Sequence, residues 1–123
     1  MGKNCALAML FWALLLFHAE ARERVLVLTD ISNEPDDEQS LVRFLVYSNE
    51  YQIEGIIATT SQYLRKKPRE DLIRRQIAAY SKVKDKLSVH ADQYPDAGKL
   101  LKVTATGQPG YGMTSVGEGR QSP

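Results

Sequence analysis

Two apolar, β-rich runs with a helical pattern between them constrain this chain most. Residues 25–28 read VLVL and residues 53–60 read IEGIIATT. Nothing polar alternates within the first run, so it reads as a buried strand rather than a half-exposed one. Between the runs, Leu41, Val42, Leu45 and Val46 recur at helical spacing, with Phe44 close by. A strand, a helix and a second strand imply a right-handed crossover and parallel pairing. A second helix follows over residues 68–87, with Leu72, Ile73, Ile77, Tyr80, Val83 and Leu87 as its inner stripe. A third, short helix is expected around residues 96–103. The fold class is therefore α/β, an open parallel sheet with flanking helices. Ligands in such sheets bind at the carboxyl ends of the strands, where Asp30 and Ser61 fall.

The loop after the first strand, TDISNEPDDE, carries Asp30, Glu34, Asp36, Asp37 and Glu38 within nine residues. Ser32 or Asn33 can cap the helix that follows, and Pro35 suits its first turn. Two readings stay open. Asp36, Asp37 and Glu38 lie where a helix dipole favours anions, which needs no metal. Alternatively, Asp30, Asp36 and Asp37 converge on a hard cation such as Ca2+, which takes six to eight oxygen ligands. The spacing is not that of an EF-hand.

Residues 1–21 form a leader. Lys3 precedes the apolar run 6–17, and Ala19-Glu20-Ala21 is a small-x-small cleavage site, the pattern of a secretory signal peptide. Twelve apolar residues fall short of the ~20 that cross a bilayer. Cleavage removes Cys5 and Trp12, so the mature chain has no thiol and no tryptophan. Disulfides, zinc–thiolate sites and a cysteine nucleophile are thereby excluded. The net charge of +1 offers no electrostatic case for nucleic acid or for an anionic membrane surface. The basic residues of the second helix read as a solvated face. The remaining histidine, His90, reads as a surface or packing residue.

Residues 104–123 hold five of the eight glycines and no periodicity. They read as a glycine-rich loop, the incomplete end of a domain whose N-terminal part is 22–103. Gly107, Gly110 and Gly112 would be ordered by structure further downstream. Two strands alone make no covered sheet, so the chain reads as the front part of a longer protein, truncated after one strand-helix-strand-helix unit.

The segment VLVLTDISNEPDDEQSLVRFLVYSNEYQIEGIIATTS resembles the start of the nucleoside-hydrolase-like domain of exported bacterial proteins often labelled cellulose-binding. IAAYSKVKDKLSVHADQYPDAGKLL and GQPGYGM are similar to later parts of the same family, so the resemblance runs from about Arg24 to Pro123. More distantly, the opening resembles true nucleoside hydrolases, whose first strand ends in D-x-D-P-G-x-D-D and holds one calcium. That resemblance implies calcium-assisted hydrolysis of an N-glycosidic or related sugar bond. It implies that Asp37 ligates the metal and that Asp36 grips sugar hydroxyls. Aligned on the strand end, Asp30 becomes catalytic base and second metal ligand. Aligned without gaps from Asp36-Asp37, Asp30 takes the first aspartate position and Ser32 stands where the base should be. The motif's Pro-Gly is absent. Thr59-Thr60-Ser61-Gln62 stands where the enzymes carry a ribose-contacting asparagine.

The expected partners are a small nucleoside or sugar, or a polysaccharide, in a secreted or periplasmic location, with no nucleic acid and no membrane after leader cleavage. The implied site is incomplete within 123 residues. Two other readings are a non-catalytic carbohydrate- or cellulose-binding protein and a non-functional truncated product. The lack of tryptophan platforms argues against the binding module.

Overall fold

The structure, a computed structural model, describes residues 22–120. The expected leader, 1–21, lies outside the described residues. Strand β1 (Glu23–Thr29), helix α1 (Pro35–Val46), strand β2 (Tyr51–Ala58), helix α2 (Glu70–Leu87), helix α3 (Ala97–Lys102) and strand β3 (Thr104–Thr106) follow in order. Short 3-10 turns occupy Ser48–Glu50 and Gly112–Ser115. The strands form one parallel sheet in the order β1-β2-β3. Each crossover steps in the same direction, so right-handed connections place the helices on one face.

The register of β1 on β2 shifts between Val25, opposite Ile53, and Leu26, opposite Gly55. The extra residue, Glu54, makes a bulge. It has a packing consequence. Ile53 and Ile56 are three residues apart and would face opposite sides of a regular strand. With the bulge between them, both pack on the core. At Gly55, next to the bulge, an added Cβ would displace the tip of the Leu26 side chain, 2.4 Å away at Cδ1.

That core comprises Ile31, Leu41, Leu45, Ile56, Ala58, Leu72, Ile73, Ile77, Tyr80 and Leu100. Most of the α2 stripe read from the sequence is buried there, but Val83 is exposed. Tyr80 adds a polar tie. Its hydroxyl donates to Pro95 O at 2.8 Å and accepts from Ser48 Oγ at 3.4 Å. Tyr80→Phe leaves Pro95 O without its donor. The expected loss is about 1 kcal/mol, a fall of roughly 4–8 °C in Tm for a domain of this size. Differential scanning calorimetry checks it.

Four expectations are corrected. The first strand is not buried on both sides: Leu26 and Leu28 remain 61% and 64% exposed, because the helices cover only the face presented by Val25 and Val27. Residues 104–106, read as loop, form β3, pairing Thr104 with Ile56 and Thr106 with Ala58. Neither Ser32 nor Asn33 caps α1; its N-cap is Glu34. The second strand spans Tyr51–Ala58, two residues earlier than the pattern placed it.

Candidate functional site

The acidic loop leaves the sheet where the sequence placed it. Thr59 N donates to Thr29 O at 2.8 Å, so Asp30 is the first residue beyond the strand. Asn33 N donates to Asp30 O at 3.0 Å and closes a turn. Within that turn Ser32 has φ 81°, left-handed backbone that glycine adopts freely and serine adopts at a penalty of about 1–3 kcal/mol. Ile31, fully buried, pins the loop to the core. Such strain persists where surrounding packing over-determines it, and it clusters at functional sites.

The carboxylates are not equivalent. Asp37 Oδ2 accepts from Glu34 N at 2.9 Å, one half of a capping box at the start of α1. Glu38 Oε2 accepts from Arg75 Nη2 at 2.9 Å and from Gln76 Nε2 at 3.1 Å, which ties α1 to α2. The Asp30 and Asp36 carboxylates carry neither hydrogen bond nor ion pair with any described residue. In the same loop, Asn33 Oδ1 is buried without a hydrogen-bond partner among the described residues, a costly state for an amide oxygen. Asp30, Asp36, the second oxygen of Asp37 and Asn33 Oδ1 are all hard oxygen donors, the kind calcium takes. The donor type fits; the number gathered does not. Among the described residues no group of three or more acidic, histidine or cysteine side chains comes together to hold a metal.

The neighbouring strand ends complete the rim. Gly107 N donates to Ala58 O at 2.8 Å, and a Cβ at Gly107 would meet that same oxygen at 3.1 Å, so the close approach favours glycine. Thr60 Oγ1 donates to Gly110 O at 3.1 Å, and the Arg65 guanidinium lies 5.7 Å from the Tyr111 ring centre. The loops after β2 and β3 are thereby clasped together. Ser61, expected at a strand end, instead closes the turn to Leu64 with its main-chain N and its Oγ. His90 is exposed at the far end of α2, remote from this edge.

Glu70 was not singled out by sequence reasoning. It opens α2 at the same edge, where its Oε2 accepts from Thr106 Oγ1 and its Oε1 accepts from Arg74 Nε at 2.7 Å. The Thr106 hydroxyl holds the Glu70 pKa below its usual 4.5, aided by Arg74 and opposed by partial burial. A carboxyl whose pKa is depressed by folding stabilises the fold above its unfolded pKa, and that contribution fades as the pH falls through the folded value. Glu70→Gln is therefore expected to flatten the fall in Tm on acidification below about pH 4.5, read by circular dichroism melts at a series of pH values. A wild-type and variant that lose Tm in parallel would contradict this.

A family model described as "Cellulose-binding Sde182, nucleoside hydrolase-like domain" matches residues 24–123. The chain belongs to this family. Among solved structures, a nucleoside hydrolase-related hypothetical protein from Saccharophagus degradans, associated with carbohydrate metabolism, is similar to it at 44% identity and a TM-score of 0.79. The match covers 83% of this chain and 25% of that one. The chain thus spans about a quarter of the length of that relative. No curated protein matches. The Sde182 nucleoside-hydrolase-like fold agrees with the open parallel α/β sheet read from the strand-helix-strand pattern. Among the described residues no helix is long and apolar enough to cross a membrane.

Proposed function

We propose that this chain supplies the acidic-loop part of a calcium-dependent site that hydrolyses an N-glycosidic or related sugar bond in an exported protein. One observation carries the reading. At the carboxyl edge of a parallel sheet, the strained turn after β1 carries Asp30 and Asn33, and Asp36 follows at the start of α1; neither carboxylate is paired with a described residue, and Asn33 Oδ1 is buried without a partner among them. Asp30 and Asp37 would hold the ion, and Asn33 Oδ1 is a further donor. Calcium would supply the positive charge that makes a water easier to deprotonate.

The chain's own residues do the rest. Asp30, unpaired and first beyond β1, accepts the proton from water as general base. Asp36, exposed at the helix start, accepts hydrogen bonds from sugar hydroxyls. The capping-box bond from Glu34 N holds Asp37 in one rotamer. The positive end of α1 lowers the repulsion among these anions. Further ligands would come from elsewhere in a longer protein or from water. The test is base release from nucleosides by the purified full-length protein that carries this domain, with and without a chelator. Chelator-sensitive release supports the reading. No release under any metal condition, from a protein that is folded, overturns it.

A second reading is carbohydrate binding without catalysis. It is favoured by the cellulose-binding name of the family and by the scattered state of the acidic side chains. Retention on cellulose that a chelator leaves unchanged, with no glycosidase activity, would select it. On either reading the partner is a sugar or polysaccharide, and the leader pattern of residues 1–21 supports an exported location.

A further inference from the structure

A cavity of about 620 Å3 opens at the amino ends of the strands, walled by Arg22, Tyr51, Gln93, Tyr94, Lys99 and Lys102 among others. It is a second place, not an extension of the acidic loop. The seven residues of β1, at about 3.3 Å each, separate it from Asp30 by roughly 20 Å. Its volume lies within the range of small-molecule sites.

The charge around it is unbalanced. Arg22, Lys99 and Lys102 bring three cations against one carboxylate, Asp96. That carboxylate is already held by Lys84 Nζ, which donates to its Oδ1 at 2.5 Å. Arg22 has no acidic partner among the described residues. Its Nη1 donates to two main-chain oxygens, Asn49 O and Gln93 O, both at 3.2 Å. Those two bonds hold the guanidinium through Nη1, while Nη2 and Nε donate to no described residue and form the fork that suits carboxylate or phosphate. Lys99 and Lys102 form no ion pair with any described residue.

The backbone is set for this as well. Gln93, whose carbonyl anchors Arg22, has φ 70°, a strained state for a non-glycine residue. Tyr51 is stacked on Phe44 with ring centres 5.9 Å apart, and the Tyr94 hydroxyl donates to Val46 O at 3.0 Å. Two immobilised aromatic side chains on the wall give flat apolar surface beside the cations, a combination that suits a sugar ring bearing a negative group.

From this juxtaposition we infer that the cavity binds an anionic sugar, carboxylated or phosphorylated. The anion sits between Arg22, Lys99 and Lys102, and the ring lies along Tyr51 and Tyr94. The inference does not depend on the hydrolytic reading of the acidic loop.

Isothermal titration and amide NMR of the protein with glucuronate, glucose 6-phosphate, glucose and inorganic phosphate test it. Saturable binding of glucuronate or glucose 6-phosphate is expected, with shifts at Tyr94 and Lys102 and none at Asp30 or Asn33. The more tightly bound of the two identifies the anion. The exposed pair Lys99→Gln/Lys102→Gln should weaken it about tenfold or more, with an unchanged melting curve. Four results would overturn the inference. They are no binding of either acidic sugar at millimolar concentration, glucose binding as tightly as its acidic forms, phosphate alone matching glucose 6-phosphate, and shifts confined to the acidic loop.

Discussion

In the full-length protein, Asp30→Asn is expected, on the proposed hydrolytic reading, to lower the rate of glycosidic hydrolysis by about 10²- to 10⁴-fold, the usual contribution of a positioned general base. The substitution preserves side-chain shape. The Asp30 carboxylate makes no hydrogen bond or ion pair with any described residue, so its charge holds no such contact in the fold. Thermal stability should stay within about 0.5 kcal/mol, as for a substitution that touches no structural feature. Calcium affinity should fall with the rate, because the same carboxylate is assigned to both tasks. Asp85→Asn, an exposed acid on α2, is the matched control and should leave the rate unchanged. If Asp30→Asn retained the full rate, the base would be another group, and Ser32→Ala would then be the variant to measure.

Ile73→Ala is expected to produce the largest loss of stability, about 3–4 kcal/mol from the lost transfer energy and the cavity left behind. Ile73 is fully buried in the core it shares with Ile31, Ile56 and Ile77. A domain with a total stability of roughly 5–15 kcal/mol has little margin for that. This one keeps Leu26 and Leu28 largely in water, which forgoes apolar burial on one sheet face. Urea denaturation should show a marked fall in the midpoint. Val89→Ala, at a residue 79% exposed, should change it by under about 0.5 kcal/mol. A midpoint for Ile73→Ala equal to that of the wild type would mean that the helix-on-sheet core is not what holds the fold.

The acidic loop shows how local chemistry and tertiary context divide the work. Five carboxylates in nine residues are visible in the sequence, as is their place between a strand and a helix. Their division into structural and free groups is not. Asp37 is drawn into the capping box because Glu34, not Ser32 or Asn33, ends as N-cap. Glu38 is paired with Arg75 and accepts a hydrogen bond from Gln76, thirty-seven and thirty-eight residues away. What remains available, Asp30 and Asp36 with Asn33 Oδ1, is defined by subtraction, and only the folded chain performs it. Asn33 had a signal of its own, an amide among carboxylates, but capping was the simpler reading.

What the amino-acid order determined by itself is the sequence of elements. Apolar runs of β-rich residues make β1 and β2. Apolar residues at three- and four-residue spacing make α1 and α2, and parallel pairing follows from the connections. These signals are short-range, so they survive without knowledge of the fold. The tertiary structure alone decided the rest, because each remaining feature depends on a distant partner. Thr104–Thr106 is a strand only because the outer edge of β2 offers unpaired main-chain groups to Val103, Thr104, Thr106 and Gly107. The exposed face of β1, with Leu26 and Leu28, is as apolar as the covered face, with Val25 and Val27, and which one meets water depends on where the helices cross. Ser32 is left-handed because Ile31 must reach the core while Asn33 closes the turn, a demand set by packing rather than by any preference of serine.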